Sequence, residues 1–286
     1  MADDEAPVVR FVDATLGYTD QIVWRGLSVD FPAGAFVAIL GPNGSGKTSL
    51  LRAILGLTPM QAGRVEVFGA PPRRGNPAIG YVPQAQAFDR DVPLRGRDLV
   101  GLGLDGYRWG FGRQSSTARR QVEQAIASAG AERYADAPLG RLSGGEQQRL
   151  RIAQALVGDP RLLLCDEPLA HLDLRYQREI TELIAAWGRG TGRTVLFVTH
   201  DVNPILDVVD RVLFVVNGRW ATGTVHEVLT TEQLTKLYGS HVDVLDVHGR
   251  LIVVGETLDA GFEVEEAHHL PAIDVPPHGR DAKALP

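Results

Sequence analysis

The chain has 286 residues, 44% of them apolar, which is enough for one large α/β domain or two smaller ones and speaks against bulk disorder. With 29 basic and 35 acidic residues, the net charge is −6 and the pI about 5.8, a balance that argues against nucleic acid as the main partner because phosphate neutralisation favours basic faces. A single cysteine, Cys165, excludes an internal disulfide and fits a reducing compartment.

The acidic start MADDEAPVVR has no basic segment followed by an apolar stretch, so no signal peptide is expected. No run approaches the ~20 apolar residues that span a bilayer. The expectation is a soluble chain whose membrane role, if it has one, comes through a partner.

In chain order, LSVDF (Leu27–Phe31) alternates as a half-buried strand does, and AFVAIL (Ala35–Leu40) reads as a strand covered on both faces. GPNGSGKTSLLRAILG follows from Gly41 to Gly56, where Leu50, Leu51, Ile54 and Leu55 recur at helical spacing and Gly56 can end the helix. Short strands are expected near 64–69 and 79–84, and a polar helix from Gln114 to Ala129 with Val122, Ile126 and Ala129 on one face. Between them, Gly103, Gly106, Gly110 and Gly112 crowd GLGLDGYRWGFGR, for which a flexible surface loop is the expectation.

Gly144 to Val157 reads as a helix, and RLLLCDEP (Arg161–Pro168) as a buried strand that ends in carboxylates. Ile180, Leu183, Ile184 and Trp187 mark another helix, Thr194–His200 another buried strand, and RVLFVVNGR a strand with a turn at Asn217-Gly218. VDVLDVHGRLIVVG predicts a hairpin turning at His248-Gly249, and from about Asp259 a loosely held tail is expected. Strands separated by helices imply a mostly parallel sheet.

The stretch Gly41-Pro42-Asn43-Gly44-Ser45-Gly46-Lys47-Thr48 fits a phosphate-binding loop lying between a strand and a helix. Glycines let the backbone curl so that N–H groups point at phosphate oxygens, and the helix presents its positive end to the same anion. Lys47 can bridge the β- and γ-phosphates, and the Thr48 hydroxyl can ligate Mg²⁺. Ser45 is expected to contribute its amide, and Ser49 to contribute to the cradle or simply be exposed.

Asp166 and Glu167 close a buried strand at its C-terminal end, where open α/β sheets bind ligands. Asp166 can hold Mg²⁺ through water, and Glu167 can orient and polarise an attacking water. An acidic pair at a strand end would alone be only a polar terminus; a phosphate cradle upstream gives it a task. His200 closes the next buried strand on the same sheet edge and could reach a γ-phosphate. Cys165 is expected to be a small buried core residue.

RLSGGEQQRLRIAQAL (Arg141–Leu156) opens a helix with a serine and two glycines, a second anion-binding end. Ser143 with Glu146 three residues on is also a capping box, and both readings can hold together.

With these motifs in this order, the chain resembles the ATP-binding subunits of ABC transporters over about residues 8–230. Leu142-Ser143-Gly144-Gly145-Glu146 matches the family's signature motif and Gln84 the Q-loop glutamine. His200 in VTHD matches the switch histidine and Asp173 in AHLD the D-loop, with His171 where serine is commoner. Tyr18 in LGYT sits where an aromatic ring stacks on adenine.

The resemblance implies an α/β P-loop fold of ABC type: a mostly parallel core sheet with an antiparallel β subdomain and a helical subdomain at about 85–157. The ATP-binding domain would cover 1–240 and a hairpin with a flexible tail 241–286. It also implies two copies facing head to tail, with ATP and Mg²⁺ between the glycine-rich loop of one and Leu142–Glu146 of the other. Gln84 would sense Mg²⁺ and the attacking water. The implied partners are a separate integral membrane permease and, indirectly, an extracytoplasmic metal-binding protein, which places the chain on the cytoplasmic face of the cell membrane. Phe88, Asp89, Asp91 and Pro93 after Gln84 resemble the zinc/manganese-uptake branch, which shares parts of this stretch with iron-chelate and cobalamin importers. Late histidines (His241, His248, His268, His269 and His278) near Glu263, Glu265 and Glu266 suggest a metal-binding tail, but their irregular spacing and the lack of cysteines favour a solvated one.

Overall fold

A computed structural model describes residues 6–18, 21–84, 88–89, 92–105 and 115–255; the side chains of Tyr18, Gln21 and Asp105 fall outside this set. Six strands build the main sheet: β3 (Phe36–Leu40), β5 (Ile79–Val82), β6 (Leu162–Asp166), β7 (Thr194–Val198), β8 (Arg211–Val216) and β9 (Arg219–Gly223). Their spatial order is β5-β6-β7-β3-β8-β9, parallel except for the last pair. The apolar runs expected to be covered on both faces are so: β3, β6 and β7 are buried at every position.

Period two divides these strands between two cores. Ala38, Leu40, Leu163, Cys165, Phe197 and Phe214 face one side, where α5 (Leu174–Gly188), α6 (Val225–Val228) and α7 (Thr231–Tyr238) pack. Val37, Ile39, Leu164, Leu196 and Leu213 face the other, against α1 (Lys47–Ile54) and an antiparallel sheet. That sheet runs β2-β1-β4, from β1 (Val9–Tyr18), β2 (Gln21–Phe31) and β4 (Ala62–Val67). Its inner face sets Phe11 edge-on to both Trp24 and Phe31.

A helical lobe comprises α2 (Gly96–Asp105), α3 (Ser116–Ser128) and α4 (Gly144–Leu156), closed over Leu99, Val100, Val122, Ile126, Leu150 and Ala153. Here one expectation is corrected. Gly103 lies inside α2, not in a loop, and glycine is required there because a Cβ would come within 2.2 Å of the Gln154 carbonyl oxygen on α4. The glycine serves close helix–helix approach. Gly106, Gly110 and Gly112 lie outside the described residues, as do Gln114, Asp91 and the histidine-containing tail.

After α7 the chain forms the expected hairpin, β10 (Val242–Val247) and β11 (Arg250–Gly255). Its two-residue turn, His248-Gly249, holds φ of 54° and 78°, the paired left-handed geometry that matches strand twist. Among the described residues no helix is long and apolar enough to cross a membrane.

Candidate functional site

Four loops meet at the C-terminal ends of neighbouring parallel strands β5, β6, β7 and β3. The loop after β3 is the glycine-rich one. Gly41, Gly44 and Gly46 hold φ of 143°, 79° and 95°, and α1 starts at Lys47 with no side-chain cap. Space as well as φ demands glycine at two of them. A Cβ at Gly41 would lie 2.0 Å from the Val215 carbonyl oxygen, and one at Gly46 would lie 2.2 Å from Val23 Cγ1. The result is a curled backbone pressed against β2 and β8.

This loop forms one wall of a cavity of about 780 Å³. Pro42, Asn43, Gly44, Ser45, Gly46, Lys47, Thr48 and Ser49 line it, joined by Gln84 after β5 and Glu167 after β6. Lys47 is buried, and its Nζ donates to the Gly41 and Pro42 carbonyl oxygens at 2.8 and 2.9 Å. Burial lowers its pKa, and the nearby Glu167 and Asp166 charges oppose that shift. The Ser45 hydroxyl is buried without a hydrogen-bond partner among the described residues.

Asp166 is buried at the end of β6, and burial raises its pKa. Thr48 Oγ1 donates to its Oδ1 at 3.1 Å and the Tyr81 hydroxyl to its Oδ2 at 3.4 Å. Glu167 adopts a left-handed φ of 46° while its N–H donates to the Val198 carbonyl oxygen at 3.0 Å. Strand pairing thus ends there and the side chain turns into the cavity, where Gln84 Nε2 donates to Glu167 Oε2 at 3.2 Å. His200, after β7, shares with Glu167 the lining of a smaller adjoining cavity of about 100 Å³, together with His171. Lys47, Thr48, Gln84, Asp166, Glu167 and His200 are therefore gathered at one sheet edge.

Leu142–Glu146 and Asp173 stand apart from this cavity. Leu142–Glu146 do not line this chain's own cavity; they open α4 in the helical lobe. Ser143 Oγ accepts from the Glu146 N–H at 3.4 Å and Glu146 Oε2 from the Ser143 N–H at 2.8 Å, the expected capping box. Gly145 lies flat on Tyr176, where a Cβ would meet the ring at 2.4 Å. Asp173 caps α5, accepting from the Tyr176 N–H at 2.9 Å. Tyr18 ends β1, and its side chain lies outside the described set.

Sequence reasoning missed Tyr81 as a site residue. Burial and Asp166 push its pKa up to about 12, so at neutral pH it remains a proton donor to that carboxylate. Its signal was available: it lies three residues before Gln84 on a strand paired with β6. Ile22, Val23, Asn217 and Gly218 also line the large cavity. They come from β2 and the β8–β9 turn, and no linear pattern marked them as cavity lining, although Asn217-Gly218 was read as a turn.

Comparison with known proteins bears on this arrangement. A family model described as "ABC transporter" matches residues 24–170. The zinc transport system ATP-binding protein TroB of Treponema pallidum (strain Nichols) is 36% identical over 237 residues, covering 83% of this chain and 89% of TroB. The manganese transport system ATP-binding protein MntB of Bacillus subtilis (strain 168) is 33% identical over 237 residues, 83% of this chain and 94% of MntB. Among solved structures, cbiO1 from Clostridium perfringens, part of the ABC transporter complex cbiONQ, superposes with a TM-score of 0.68 at 27% identity, over 81% of this chain and 94% of that one.

Proposed function

Because the chain belongs to the ABC transporter family, we propose that it is the ATP-hydrolysing subunit of an importer for a divalent metal cation, zinc or manganese. Membership carries ATP binding and hydrolysis; the cargo class rests on the zinc and manganese transport named in TroB and MntB. The observation that carries the chemistry is the gathering of Lys47, Thr48, Gln84, Asp166 and Glu167 about one cavity.

In this reading the loop from Gly41 to Thr48 encloses the phosphates with backbone amides, and Ser49 and Tyr18 complete nucleotide binding at either end. Lys47 Nζ gives up its carbonyl partners for β- and γ-phosphate oxygens, stronger acceptors because they are charged. The donor set fits Mg²⁺: a hydroxyl and a carboxylate oxygen 3.1 Å apart, all-oxygen chemistry that leaves room for waters and phosphate. Thr48 and Asp166 would hold the ion with Gln84 nearby, and when bound it supplies neutralisation of phosphate charge. Glu167 accepts a hydrogen bond from the attacking water and polarises it toward the γ-phosphorus, with Gln84 fixing the carboxylate. His200 faces the same phosphate from the next strand.

The catalytic unit is two copies head to tail, since Leu142–Glu146 stand away from their own cavity. The α4 N-terminus of one copy closes over the γ-phosphate of the other, and Asp173 lies at the contact between them. The ATP-binding domain spans 1–240, with the helical lobe at about 85–157 and the C-terminal hairpin and tail at 241–286. Closure drives an integral membrane permease that receives cargo from an extracytoplasmic metal-binding protein. The chain then sits peripherally on the cytoplasmic face of the membrane, with no nucleic acid involved.

Uptake of radiolabelled Zn²⁺ or Mn²⁺ in a strain lacking this chain tests the cargo. Loss of uptake, restored by wild type and not by Glu167→Gln, is the expected result. Unchanged metal uptake alongside a co-purifying polytopic partner would redirect the reading to another cargo, such as an iron complex.

A further inference from the structure

The loop that carries His200 is tied to the C-terminal hairpin by one side chain. Within the loop, Thr199 Oγ1 accepts from the Asp201 N–H at 3.2 Å and donates to the Asp201 carbonyl oxygen at 2.9 Å. Asp201 Oδ1 accepts from both the backbone N–H and Nδ2 of Asn203, at 2.9 and 2.8 Å. The Asn203 carboxamide then reaches 48 residues along the chain. Its Nδ2 donates to the Leu251 carbonyl oxygen at 3.1 Å, and its Oδ1 accepts from the Leu251 N–H at 2.9 Å.

These two bonds copy a strand pairing. Leu251 is opposite Asp246 in the hairpin, next to the turn-flanking pair Val247 and Arg250, so its N–H and C=O point away from β10. A sheet edge left open exposes such groups; here an amide with one donor and one acceptor closes it. The far edge of the hairpin is held as well. Thr231 and Thr235, one turn apart on α7, accept from the Val244 and Val242 N–H groups at 2.9 and 3.1 Å. The hairpin is thus clipped between α7 on one side and the His200 loop on the other, with Leu251 and Val253 resting on the core.

We propose that Asn203 is a positioning residue for hydrolysis: by joining Asp201 to the β11 edge at Leu251, it fixes the loop that presents His200 to the γ-phosphate and makes turnover depend on how the C-terminal hairpin is seated. This rests on the reading of His200 given above. Asn203 bonds to Asp201 and Leu251 and does not line the phosphate cavity, so its loss acts on the chemical step and not on nucleotide binding.

The test uses the full chain and ATP. Asn203→Ala lowers kcat about fivefold, the worth of roughly one hydrogen bond, while KM for ATP stays at the wild-type value. Leu251→Pro removes the N–H that Asn203 accepts without touching the β10 ladder, and gives the same loss. Combined, the two substitutions lower kcat no further than either alone, as partners in one contact do. Wild-type kcat in Asn203→Ala, losses that multiply in the double variant, or a kcat loss matched by a rise in KM would each overturn the proposal. If Asn203→Ala does not fold, Leu251→Pro decides alone: reduced kcat at unchanged KM supports the link, and wild-type kcat overturns it. Glu167→Gln runs alongside. A wild-type chain that does not hydrolyse ATP sinks the functional reading; hydrolysis abolished by Glu167→Gln but untouched by both hairpin-link variants sinks this inference only.

Discussion

At the scale of single residues, the site puts two carboxylates in sequence but in different surroundings. Asp166 is buried and bonded to Thr48 and Tyr81, whereas Glu167 turns into the cavity toward Gln84. That division predicts distinct effects. Glu167→Gln keeps ATP affinity by titration and lowers phosphate release by about 100-fold or more, the usual worth of a placed base; turnover near wild type would remove Glu167 from that role. Asp166→Asn has a consequence before any chemistry. Burial raises the folded-state pKa of Asp166, so as pH rises the unfolded chain releases this proton first. The stability tied to its protonation is present at acid pH and is lost as pH rises through the folded pKa. Nucleotide-free Asp166→Asn therefore melts higher than wild type at neutral pH, with the gap closing at acid pH. A lower melting point at neutral pH would contradict this sign.

At the scale of elements, short motifs were legible and close approaches were not. The glycine-rich loop, the carboxylates at the end of β6 and the serine-glycine start of α4 are contiguous runs whose chemistry follows from local backbone geometry. The buried strands could be read because a sheet covered on both faces makes them apolar throughout. At Gly103 in α2, however, the glycine density pointed to a loop, because the reason for this glycine is a carbonyl on another helix. The cavity walls from Ile22, Val23, Asn217 and Gly218 were hidden for the same cause: they are set by strands distant in sequence. Gly103→Ala measures such an approach. The added methyl forces α2 away from α4 and costs about 1–3 kcal/mol. Thermal melts should show the loss, and an unchanged melting temperature would mean that α4 yields without strain.

At the scale of the whole molecule, the separation between Leu142–Glu146 and this chain's own cavity is what supports the proposed head-to-tail pair. Cys165 is buried and is the chain's only cysteine, so introduced thiols report cleanly. With Ser143→Cys and Asn43→Cys added to Glu167→Gln, oxidation in ATP should give a covalent dimer on a non-reducing gel. Monomer alone, in conditions where ATP is bound, would refute the head-to-tail arrangement. The strand order has its own consequence for how the molecule is made. β3 lies between β7 and β8, more than 150 residues later in the chain, and the Gly41 turn leans on Val215. A nascent polypeptide that has emerged only as far as residue 190 already carries every glycine of the loop, yet neither flank of its parent strand exists. Nucleotide capture during synthesis must wait until the ribosome has released β8, so a translation-arrest series should gain ATP retention only in its longest members.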